Sequence, residues 1–209
     1  MTQPEKLAPI VRVVSVSWKP EEAYRRFVNE FSSWWPVKTH SIGGPRIKRL
    51  VFEAKVGGRI YEEHIDGRQF QWGKVLELDP PRRARFTFHP SRPESTAQTI
   101  ELLFHPEVSG ARLELIATGW ENWGKGAERA RRGYQVGWGL VLNLWAGRIT
   151  MRMRLITGDW EGRAGASVDL AWRQGGTDQQ CGGRSARLRP NSVTLEFGQR
   201  HRIPHKLRR

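Results

Sequence analysis

The stretch WENWGKGAERARRGYQVGWGLVLNLWAGRI, residues 120–149, decides the fold. From Ala127 onward, Ala130, Tyr134, Trp138, Val141, Leu142 and Trp145 recur at three- and four-residue spacing, which places them on one face of an amphipathic helix. Glu128, Arg129, Arg131, Arg132, Gln135 and Asn143 fall on the opposite face. The pattern predicts a helix over residues 127–149, a rod of about 30 Å at roughly 1.5 Å per residue, whose apolar side needs a floor of similar length. Gly133, Gly137 and Gly139 each weaken a helix by up to about 1 kcal/mol. Their presence implies close backbone approach, or room for a guest beneath the helix.

The preceding chain supplies such a floor. Residues 10–18 are Val-rich and read as a first strand, after which Lys19-Pro20-Glu21-Glu22 opens a helix over 20–28, with Pro in the first turn and acids near the positive end. A second short helical piece over 30–35 is stopped by Pro36, and 39–45 is a Gly-rich loop. Strands are then expected over 47–56, 59–65, 70–78, 83–89, 98–105 and 111–118, separated by Gly57-Gly58, Asp66-Gly67, Asp79-Pro80-Pro81, residues 89–93 and Ser109-Gly110. Links this short join antiparallel neighbours. Alternation in Ile100/Leu102/Phe104 and Leu113/Leu115/Ala117 gives each strand one buried face. The result is an α+β fold: two short helices after strand 1, and a curved antiparallel sheet of about seven strands wrapped around a long C-terminal helix.

Composition sets the class. A chain of 209 residues, 38% apolar and with ten tryptophans, can build one sizeable core. The net charge of +14 is unevenly spread: residues 1–150 hold 23 Lys and Arg against 16 Asp and Glu, whereas the last 59 residues hold 12 against 5. Half the excess therefore sits in a terminal stretch, which argues against a nucleic-acid-binding face on the domain. Cys181 is the single cysteine, so neither a disulfide framework nor a Cys-based zinc site is expected. With no apolar leader at the N-terminus and no long apolar run, the expectation is a soluble cytoplasmic protein that does not enter membranes.

Three motifs carry a resemblance: VGGRIYEE (56–63), WGKVLELDPPRR (72–83) and GWENWGKGAERARRGYQVGWGLVL (119–142). Together they resemble the bacterial branch of the family of homologues of the activator of heat-shock-protein ATPase. That family belongs to the START/Bet v-like superfamily (SRPBCC, polyketide cyclase and lipid transport). The resemblance implies a helix-grip fold over residues 10–149, preceded by an extension over 1–9. It also implies ligand binding, transport or cyclisation, but no shared catalytic set. The remaining residues, 150–209, are rich in Arg, Gly and Gln without sustained periodicity, and only 192–197 read as a strand. They are expected to form a basic tail of low order outside the domain, either a terminal extension or a frame artefact.

Four constellations bear on chemistry. Residues 119–125 fit G-x-x-x-x-G-K, yet Gly126 stands where Ser or Thr would hold magnesium, and two tryptophans crowd the loop. A strand-to-helix turn explains it better than a nucleotide site, and no cofactor is expected. His201 and His205 have helical metal-pair spacing but enclose Pro204, so no metal site is expected either. Alternation puts Glu62 and His64 on one face of a strand; a solvent-facing polar side is the preferred reading, with a cavity base as the alternative. Trp34, Trp35, Trp120 and Trp123, in or beside loops, and Tyr134 on the helix are the candidate ligand-binding residues. Trp138 and Trp145 read as core fillers. The expected function is binding of a small hydrophobic or aromatic ligand between sheet and helix. The alternatives are a cyclase- or hydrolase-like enzyme using Glu62 or His64, and co-chaperone stimulation of a heat-shock ATPase, with a chaperone as partner.

Overall fold

A computed structural model describes residues 6–152 and 196–199. Strand β1 (Ile10–Val16) leads into α1 (Pro20–Val28), which begins and ends at the residues the sequence predicts, and into the single turn α2 (Phe31–Trp34). Then come β2 (Ile47–Phe52), β3 (Arg59–His64), β4 (Gln69–Asp79), β5 (Arg83–Phe88), β6 (Gln98–Glu107) and β7 (Gly110–Thr118). A 3-10 turn at Trp120–Trp123 precedes the long helix α3 (Ala127–Trp145). The seven strands form one antiparallel sheet in the order β1-β7-β6-β5-β4-β3-β2, so that β2 to β7 meander in sequence and β1 adds to β7. This is the expected helix-grip α+β fold.

One face of the sheet is the core. Ala84, Phe86 and Phe88 of β5, Ile100, Leu102 and Phe104 of β6, and Ala111, Leu113, Leu115 and Ala117 of β7 are all buried at every second position. The other face of the same strands carries charge: Arg83 lies 2.8 Å from Glu77 and 2.5 Å from Glu101, and Arg85 lies 3.3 Å from Glu77. The buried face receives α1 through Ala23, Tyr24, Phe27 and Val28, and α3 through Tyr134, Trp138, Val141, Leu142 and Trp145.

The long helix ends four residues short of the predicted boundary. Gly147 takes φ 65°, a left-handed conformation that glycine tolerates, and its N–H bonds back to the Leu144 carbonyl at 3.0 Å, which closes the helix. Ile149–Arg152 (β8) then pairs antiparallel with Glu196–Gln199 (β9), Ile149 opposite Gln199 and Arg152 opposite Glu196. The strand expected over 192–197 is thus observed from Glu196 onward. Most of the expected low-order tail, with Cys181, His201 and His205, lies outside the described residues, as do residues 1–5.

Candidate functional site

The interior between sheet and α3 holds two unlike neighbourhoods. The first is polar and centred on Glu62. Its carboxylate is fully buried and accepts from four donors: the Ile42 N–H at 2.9 Å, the Gly43 N–H at 2.7 Å, the Trp72 indole N–H at 3.1 Å and His64 Nε2 at 2.5 Å. The Gly-rich loop folds over the end of β3, and its backbone amides converge on the carboxylate. Only glycine fits at position 43, because a Cβ there would come 2.3 Å from His64 Nε2. Phe70 stacks on the His64 ring with centroids 4.4 Å apart. His64 Nδ1 is buried with no partner among the described residues.

This arrangement overturns the reading of Glu62 and His64 as a solvent-facing polar side, since both are buried. Glu63, on the opposite face, is also buried but sits under the exposed Lys48 and Arg49, which it bonds at 2.9 Å and 2.8 Å; those two partners pull its carboxyl pKa down to about 2. Alternation placed Glu62 correctly with His64, but the cover came from backbone N–H groups of a distant loop, which leave no side-chain signature. Four donors already occupy the two oxygens of this carboxylate, so the geometry suits anchoring of the loop better than contact with a substrate. His40, in the same loop, is buried, which lowers its pKa to about 4; its carbonyl takes the Trp35 indole N–H at 2.6 Å.

The second neighbourhood is aromatic and lies beneath the first half of α3. Tyr134 has Trp120 at 5.1 Å, Trp123 at 5.7 Å and Phe88 at 6.4 Å between ring centroids. Phe88 is also 5.3 Å from Trp138, which is 5.9 Å from Trp35. Burial pushes the Tyr134 hydroxyl pKa up, with the nearby Arg92 cation opposing it. The Arg92 guanidinium stands 3.9 Å over the half-buried Trp123 ring. Asn122 Nδ2 donates to the Ala97 carbonyl at 3.0 Å, tying the 3-10 turn to the β5–β6 connection.

The structure brings Trp120, Trp123 and Tyr134 into direct contact. Trp34 and Trp35 form a second pair, 5.6 Å apart, linked to the first group through Trp138 and Phe88. Trp120 is buried and donates to the Ala117 carbonyl at 2.9 Å; Trp34 is half-buried and donates to the Phe27 carbonyl at 3.3 Å. Among the three helix glycines, a Cβ at Gly133 would meet nothing within 4 Å, whereas Gly139 faces Arg12, whose guanidinium donates to the Gln135 carbonyl at 2.7 Å.

Two features of this neighbourhood escaped the sequence reading: the unpaired N–H of Trp138, which reads from sequence only as a core filler, and the buried Gln98. Trp138 is buried on α3, yet its indole N–H has no acceptor among the described residues. Gln98 is fully buried at the start of β6, opposite Phe88 in the ladder; its Nε2 donates to the Thr96 carbonyl at 2.8 Å, and its Oε1 has no donor among the described residues. A signal for Gln98 existed: carrying the alternation Phe104, Leu102, Ile100 back by two lands on a glutamine at a core position.

Among the described residues no helix is long and apolar enough to cross a membrane, and no three His, Cys, Asp or Glu side chains gather as a metal site. No curated protein matches the chain in sequence. Among solved structures, a protein from Mesorhizobium loti is similar at 16% identity over 67% of this chain and 95% of its own, with a TM-score of 0.50. The Aha1 dimer from Colwellia psychrerythraea is similar at 16% identity, over 68% and 99% respectively, with a TM-score of 0.47. An anthrahydroquino-gamma-pyrone synthase is similar at 30% identity, over 69% and 98%, again at 0.47. The family model described as activator of Hsp90 ATPase homolog 1-like protein matches residues 17–149, which span the helices α1 to α3 and every strand of the seven-stranded sheet but β1, and the chain belongs to that family.

Proposed function

We propose that the protein binds a small hydrophobic or aromatic molecule between its sheet and α3. The observation that carries this reading is the Trp138 indole N–H, buried on the helix face turned toward the sheet and lacking an acceptor among the described residues. A buried donor left unpaired costs about 1–3 kcal/mol, and a guest with an acceptor would offset that cost. The fold is one typical of proteins that hold ligands in a cavity. In this reading Trp120, Tyr134 and Trp138 flank the guest, and the half-buried Trp123 with Arg92 above it forms the approach. Trp35 bounds the far side, and Trp34 stands behind it. The cytoplasm is the compartment we propose, on the single cysteine of the chain.

The test is titration with 1-anilinonaphthalene-8-sulfonate. Saturable probe fluorescence at one site per chain, with matching loss of tryptophan emission, is expected in the full-length protein, and at least about tenfold weaker binding after Trp138→Ala. Non-saturating fluorescence, unchanged by the substitution, overturns the proposal.

A further inference from the structure

Resting on that binding reading, we propose that Gln98 selects the ligand: the site takes a planar aromatic molecule bearing an O–H or N–H donor on its edge, and discriminates against the same ring system without one. Gln98 occupies a position that β6 otherwise gives to apolar side chains, with Ile100, Leu102 and Phe104 following it on the same buried face. A glutamine there is costly unless its amide is satisfied. Half of it is. Nε2 donates to the Thr96 carbonyl at 2.8 Å, and this bond fixes the amide orientation, because the reverse flip would set two carbonyl oxygens against each other. Oε1 is therefore held as an acceptor, buried and without a donor among the described residues.

The surroundings define the shape of what would supply that donor. Gln98 stands opposite Phe88 in the strand ladder, and the Phe88 ring packs against Trp138 at 5.3 Å and Tyr134 at 6.4 Å. Gln98 is thus a cross-strand neighbour of an aromatic cluster, a setting that favours a flat ring. Trp138 Nε1 adds an unpaired donor from the helix side. A ligand with a hydroxyl or ring N–H toward β6 and an oxygen or nitrogen acceptor toward α3 satisfies both atoms at once. A pure hydrocarbon satisfies neither and leaves both desolvated, and that penalty is the source of selectivity.

Competition against the bound anilinonaphthalene probe tests this, with 2-naphthol and 2-methoxynaphthalene as competitors. They share ring and oxygen and differ in the donor. The full-length protein is expected to prefer 2-naphthol by about tenfold, the size of one buried hydrogen bond lost. Gln98→Leu is expected to abolish the preference while 2-methoxynaphthalene still binds. Should the Leu variant fail to fold, Gln98→Met replaces it, and the ratio in the parent protein decides by itself. Equal displacement by both competitors overturns the role of Gln98 and leaves ligand binding standing, as would be found if a trapped water served Oε1. Displacement by neither, with the probe unsaturable, overturns the binding reading and this inference together.

Discussion

The Glu62 cluster and the aromatic region beneath α3 are both buried and both built on the concave face of one sheet, and they differ in how far their central polar group is satisfied. Around Glu62 the carboxylate has four donors and the loop that supplies two of them is locked in place. Near Phe88, Gln98 Oε1 and Trp138 Nε1 are buried with no partner among the described residues, although Gln98 Nε2 is held by the Thr96 carbonyl. The comparison teaches that burial of a polar group does not by itself mark function. A satisfied group is a fastening, because removing it strands its partners; an unsatisfied one has value only when something arrives.

Two leucine substitutions break or sharpen that contrast most directly. Glu62→Leu would strand two backbone amides, an indole and an imidazole, and is expected to lower stability by about 3–5 kcal/mol. Gln98→Leu removes one hydrogen bond and one unpaired acceptor, so its cost is expected to stay within about 1 kcal/mol. Urea unfolding of both variants measures the difference; equal losses would erase the distinction between the two regions.

Acid is the next largest lever, and it acts on the fastened region. His40 has a folded-state pKa lowered to about 4 by burial, beneath its ordinary value of 6.5. A histidine depressed in this way contributes stability that is fully present above pH 6.5 and is lost as pH falls toward 4, because only the unfolded chain takes up the proton in that window. The loss is expected to approach about 3 kcal/mol by pH 4. Unfolding curves at pH 7, 5.5 and 4.5 check it, and His40→Asn should flatten this part of the pH dependence.

The smallest effect is expected at Trp138→Phe. It deletes the unpaired N–H and keeps most of the ring, so stability is expected to change by less than about 1 kcal/mol in either direction. Calorimetric melting checks it. A loss of several kcal/mol would mean that the indole N–H is already satisfied in the folded protein, and the contrast between the two regions would collapse.

What the sequence made legible follows the reach of its signals. The start of α1 was readable because Pro20, Glu21 and Glu22 act on their own backbone, and the buried face of α3 because Tyr134, Trp138, Val141, Leu142 and Trp145 share one helix. The end of α3 was missed because Gly147 stops the helix while the apolar pattern continues through Ile149. The Glu62 cluster was half readable. Strand alternation paired it with His64, but the amides of Ile42 and Gly43 come from a loop whose path only tertiary structure sets. The unpaired state of Trp138 was not readable at all, since an indole's neighbours across a sheet have no local code.

The placement of β1 has a consequence for how the protein is made. Strands β2 to β7 each pair with the next in sequence, so each hairpin can close soon after it leaves the ribosome. The first strand cannot join them in turn: Ile10 is matched to Ala117 and Val16 to Ala111, and Arg12 reaches further still, to the Gln135 carbonyl of α3. The strand of the sheet that is synthesised first is therefore the last to be fastened. Until β7 emerges, Ile10 and Val14 of β1 have no sheet partner, which leaves this strand in need of protection from association with other chains.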